Sequence, residues 1–98
     1  MILQVSTCEN VSEAGAKLFR VCYEFLRKNY PDVPAEWLTP ISGKLGAHVA
    51  VWRFPSLAAK EAYDAKLAAD SRWQKLFKEA GPGPFWTSQR DDFYKVEE

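Results

Sequence analysis

The 98-residue sequence contains a single histidine, His48, and histidine is the side chain whose ordinary pKa lies nearest neutrality. It stands in the run Ala47-His48-Val49-Ala50-Val51-Trp52-Arg53-Phe54. Period-two spacing there puts His48, Ala50, Trp52 and Phe54 on one face. An imidazole beside two large rings suits a general base, or a hydrogen-bond donor to a flat ligand. The competing reading is a strand-end histidine bonded to backbone or water. Trp37 and Trp86, expected on outer strands, would flank the same slot, and Tyr63 would add a phenol from a helix. Arg53 and Arg90 could each clamp a carboxylate. An ion pair between subunits with Asp91, Asp92 or Glu36 is the plainer account of both.

The sequence excludes several other chemistries. Nothing orients its serines towards a histidine and an acid, so no nucleophilic triad is formed. Gly43-x-x-Gly46 falls between expected strands and Gly81-Pro82-Gly83 follows a helix, so neither cradles a phosphate. A metal would have to join His48 to remote carboxylates, and Cys8 and Cys22 have no metal-binding spacing; no metal and no cofactor are expected. Thirteen basic residues balance thirteen acidic ones, which argues against nucleic acid, because phosphate binding needs a concentrated positive face. No apolar stretch reaches the roughly 20 residues that span a bilayer. The Met1-Ile2-Leu3-Gln4 start lacks a basic leader, and two reduced thiols fit a cytoplasmic protein.

The elements that must position these residues follow from periodicity. Ile2 to Cys8 alternates, with Leu3, Val5 and Thr7 on the face expected to be buried. Asn10 and Glu13 form a capping pair ahead of a helix whose apolar stripe is Val11, Ala14, Leu18, Val21, Cys22, Phe25 and Leu26. That helix stops near Asn29, before Pro31. Glu36 to Ser42 is a second strand, and Pro40, which cannot donate to a ladder, puts it at an edge, at a bulge or at the strand's end. Ala47 to Phe54 is a central strand, apolar on both faces. Ser56 to Ala80 is helical in two pieces bent at Asp70, with Ser56 and Asp70 as caps. The Gly81-Pro82-Gly83-Pro84 break leads to a last strand, Phe85 to Val96.

The order β-α-β-β-α-β is the split βαβ of ferredoxin-like α+β folds, in one domain over residues 1–98, with a four-stranded antiparallel sheet and helices on one face. Leu3, Val5 and the two-sided third strand cannot all be wet. Sheet-to-sheet packing of two copies is the simplest cover, giving a homodimeric α+β barrel. Which face of the third strand lines a cleft, and which meets the second copy, is left open by alternation alone.

Several of these residues also resemble a known group. Pro40-x-x-Gly43, a strand ending Arg53-Phe54-Pro55, the Ser56-Leu57-Ala58-Ala59 start, and the Ala65 to Trp73 element with Asp70-x-x-Trp73 are similar to the NIPSNAP-like dimeric α+β barrel proteins. Those are relatives of the antibiotic-biosynthesis-monooxygenase superfamily. The resemblance implies a homodimer with a pocket between each sheet and its helices. It implies no single reaction, since the superfamily spans oxygenases, haem-degrading enzymes, dismutases and isomerases. The haem-degrading branch uses a helix histidine to ligate iron; neither helix here has one, so haem chemistry is not carried over.

Two functions follow as expectations. In the first, an apolar or aromatic small molecule binds in a sheet–helix cleft, with cofactor-free oxygenase or isomerase-like chemistry at His48 and Trp52. In the second, the chain is a non-catalytic interaction or scaffold domain whose rings serve only core and dimer packing. Ligand-dependent melting shifts across a panel of aromatic metabolites favour the first, and a filled interior with no cavity beside His48 the second.

Overall fold

Alternating side chains over Ile2–Glu9 (β1) and His48–Phe54 (β3) build the two central strands of an antiparallel sheet. The computed structural model describes residues 1–43 and 45–97. Ala35–Leu38 (β2) pairs with β3, and Ser88–Lys95 (β4) with β1, giving the order β2-β3-β1-β4. Helices Glu13–Asn29 (α1), Leu57–Ala68 (α2) and Ser71–Ala80 (α3) complete the ferredoxin-like order. No helix among the described residues is long and apolar enough to cross a membrane.

The helix ends have identifiable causes. Ser56 Oγ accepts from Ala59 N–H to start α2, and Asp70 Oδ1 accepts from Arg72 N–H to start α3, as the capping residues predict. The cap of α1, however, is Ser12, whose Oγ accepts from Gly15 N–H. Asn10 cannot serve there, because its φ of 51° is left-handed whereas an N-cap is extended, and its amide donates to Thr87 instead. Two strands are shorter than expected: β2 ends at Leu38, before Pro40, and β4 begins at Ser88, after Phe85 and Trp86. Pro40 has no N–H for the ladder.

The helices cover the face of the sheet that carries Ser6, Cys8, Ala50, Trp52 and Trp37. Leu3, Val5 and Thr7 lie on the opposite face with Val49, Val51 and Arg53, the face for which a second copy is the expected cover. The α1 stripe is rotated from its expected position: Gly15, Leu18 and Leu26 are buried, while Ala14 and Val21 are exposed. Phe54, wholly buried beneath α2, anchors the core end of β3; a ring buried this way stabilises by about 1.5–3 kcal/mol.

Candidate functional site

Small residues on the helix-covered face make room for large ones. Ser6, Cys8, Ala35 and Ala50 floor a cleft of about 180 Å³ between sheet and helices. Trp37 and Trp52 rise from the sheet; Phe19, Cys22 and Tyr23 descend from α1; Trp73 and Phe77 come from α3; Trp86 closes one side just ahead of β4. Phe19 is the hub of the rings, with centroids 6.0 Å from Trp37, 5.2 Å from His48 and 5.5 Å from Trp86. Trp73 packs at 5.7 Å from Phe25 and 5.0 Å from Phe77. Apart from the stacked Phe19–Trp37 pair these contacts are tilted or edge-on, which suits the ring quadrupoles, and all bury large areas.

Of the residues singled out in the sequence, Trp37, Trp52 and Trp86 do line one cleft. His48 shares their face but stands beside Trp37, outside the lining, and its Nδ1 accepts from Trp37 Nε1 at 2.9 Å. That bond assigns the remaining ring proton of neutral His48 to Nε2. Burial lowers its pKa and holds the ring neutral. Phe54 lies behind the cleft against Tyr63, centroids 5.3 Å apart. The Tyr63 hydroxyl is buried rather than at the rim, and burial pushes its pKa up to about 12, an effect the nearby Trp52 N–H opposes. Neither Trp52 Nε1 nor that hydroxyl has a well-formed hydrogen bond among the described residues. Arg53 is on the other face, paired with Glu36 of its own chain, and Arg90 pairs with Asp92 at 2.8 Å. Both arginines thus find acids within the chain, where pairs between subunits were expected.

Sequence reasoning did not reach Ser6, Phe19, Tyr23 or Gln89 as cleft residues. Phe19 and Tyr23 carry a signal in their i, i+4 spacing beside Leu18 and Cys22, which widens the apolar stripe towards the cleft. Ser6 carries none, because a small polar residue on a strand reads as solvent-facing. At the far end of α1, Tyr30 donates to Asp70 Oδ2 at 2.7 Å, and Arg72 bonds both Asp70 and Asn29. Hydrogen bonds from Arg72, then from Tyr30, hold the Asp70 carboxyl well below the usual carboxylate range. This knot fastens the start of α3 to the end of α1. Within the described residues no cluster of histidine, cysteine and carboxylate groups could hold a metal.

The antiparallel β2-β3-β1-β4 sheet with its helices on one side defines a ferredoxin-like α+β protein of the kind shared with antibiotic-biosynthesis-monooxygenase-like proteins. The NIPSNAP family profile matches residues 28–97, and the chain belongs to that family. Among solved structures it is similar to an uncharacterized NIPSNAP domain protein from Burkholderia xenovorans, at 19% identity and a TM-score of 0.78, covering 99% of this chain and 95% of that one. A NIPSNAP family protein of unknown function from Agrobacterium tumefaciens aligns at 16% identity and TM-score 0.74, over 98% and 87% of the two chains. A suspected antibiotic biosynthesis monooxygenase from Caulobacter crescentus aligns at 14% and 0.71, over 99% and 90%. At these identities the likeness shows the fold. No curated protein matches the chain.

Proposed function

We propose that this protein is a homodimeric α+β barrel that binds an apolar or aromatic small molecule in the cleft between its sheet and helices. The observation that carries the reading is the ring-walled cavity of about 180 Å³, floored by small side chains. A domain using its rings for packing alone has no reason to keep such a space, since interiors are close-packed and voids cost stability. Cofactor-free oxygenation or isomerisation of the bound molecule is the chemistry this site would host. Within it His48 fixes the orientation of Trp37, which lines the cleft, rather than meeting the ligand itself.

The second copy is argued from the uncovered face. Leu3, Val5, Val49 and Val51 form an apolar centre there, flanked by the Arg53–Glu36 and Arg90–Asp92 pairs. A polar rim around an apolar core is the usual anatomy of an interface.

Melting curves against a panel of one- and two-ring aromatics test the ligand. A compound at a hundred times its Kd stabilises the fold by about 2.7 kcal/mol, so a binder raises the Tm by several degrees, and a panel without a single shift at millimolar concentration refutes the reading. Light scattering at micromolar concentration should return twice the mass of one chain, and Val5→Glu should halve it. A native sample with the mass of one chain removes the dimer.

A further inference from the structure

Ser6 is only 5% exposed and lines a cleft otherwise walled mostly by rings and small apolar groups. The β1–β4 register sets it opposite Asp91, and its hydroxyl donates to Asp91 Oδ1. A serine hydroxyl has one proton and two lone pairs. With the proton committed to a carboxylate, Ser6 can offer the cleft only lone pairs, and the adjacent negative charge makes them stronger acceptors.

The other polar groups compensate little: the Tyr23 hydroxyl keeps its proton but accepts from Arg27 in an exposed contact, where water competes for it. The Trp52 N–H is fully buried beside the Tyr63 hydroxyl and presents no accessible surface to the cleft, although the two form no well-made hydrogen bond. Cys8 and Cys22 are protonated, with burial pushing their thiols up to about 11 and about 12, and a thiol is a weak hydrogen-bonding group. Gln89 lines the cleft but is exposed, so water competes for its amide.

We infer that the cleft selects aromatic ligands that donate a hydrogen bond, such as phenols, indoles and anilides, over the same rings bearing an ether or no polar group. This rests on the ligand-binding reading of the same cleft. An apolar ring over Ser6 leaves a desolvated acceptor unpaired, and an ether oxygen there faces lone pairs and a carboxylate. A donor repairs the loss. The volume suits one or two fused rings, since an engineered cavity of about 150 Å³ takes benzene.

Calorimetry with the full chain at pH 7 and three probes, 2-naphthol, 2-methoxynaphthalene and naphthalene, separates the possibilities. 2-Naphthol should bind about tenfold tighter than the other two. Ser6→Ala should abolish that advantage. Asp91→Ala should shrink it and strengthen binding of the methoxy compound, because Ser6 regains a proton to donate; Asp91 is exposed, so this variant serves even if Ser6→Ala fails to fold. Equal affinities for the three probes, or a naphthol preference that survives these substitutions, overturns the donor selection while leaving the ligand-binding reading in place. No binding by any probe overturns both.

Discussion

Trp37 Nε1 donates to His48 Nδ1 across 2.9 Å, the two ring planes 25° from parallel, so the histidine spends its acceptor nitrogen on a neighbouring side chain. Protonating that nitrogen would turn an acceptor into a donor facing a donor. Because burial lowers the folded-state pKa of His48 beneath its ordinary 6.5, the unfolded chain takes up the proton more readily. This contribution to stability is therefore complete above the ordinary value and declines as pH falls through it. Urea unfolding at pH 7.5 and 5.5 should show a loss in the parent chain that His48→Gln lessens. Trp37→Phe, which strips the donor, should cost about 1 kcal/mol at pH 7.5.

Gly15 sits in the middle of the first turns of α1, where alanine would ordinarily add about 1 kcal/mol of helix propensity. A methyl group there would lie 2.3 Å from the Phe85 carbonyl oxygen and 2.9 Å from Val11 Cγ1. That carbonyl also accepts from the Ser12 N–H at 2.9 Å and the Ser12 hydroxyl at 3.1 Å, so it cannot easily withdraw. Gly15→Ala should thus destabilise by about 1–3 kcal/mol despite its propensity, as read from the denaturation midpoint.

Tyr30→Phe removes the hydroxyl that donates to Asp70 and should cost about 1 kcal/mol. Asp70→Ala removes the α3 cap as well, and its effect should depend on pH. A carboxyl held below its ordinary 3.8 stabilises the fold above that value and loses the contribution as acid protonates it. Acid titration of stability should accordingly be flatter below pH 4 in Asp70→Ala than in the parent chain.

Cys8 and Cys22 have thiols pushed up to about 11 and about 12 by burial. At pH 8 almost none of either is the reactive thiolate. A disulfide reagent should label the native chain orders of magnitude more slowly than the urea-unfolded chain, which should give two equivalents. Fast labelling of either thiol in the native chain would contradict its placement in the cleft.

Most elements were legible in the sequence because periodicity and capping are local. Ser56 and Asp70 cap where their side chains predict, and the ring-rich strand face did turn out to meet the helices. What alternation could not decide was which face of β3 the helices would take. Leu3 and Val5 read as a face the helices leave bare, and the helices do cover Ser6 and Cys8 instead, where bulky Trp37, Trp52 and Trp73 meet a floor of small side chains. The hydrogen bond from Ser6 to Asp91 joins residues 85 positions apart, and no local pattern announces it. The capping pair Asn10–Glu13 fitted the expected spacing, but the backbone at Asn10 turns left-handed and hands the role to Ser12.

Trp86 reaches the cleft on a segment whose Phe85 carbonyl is stitched to the first turn of α1. That wall and the α1 rings are thus joined directly, and the sheet holds Trp37 and Trp52. The start of α3 is tethered to α1 through Asp70 and Arg72, while Phe77 near its other end stays 40% exposed. Losing the Asp70 carboxylate would therefore unfasten the Trp73 and Phe77 side of the cleft while leaving the Trp86 side stitched in place.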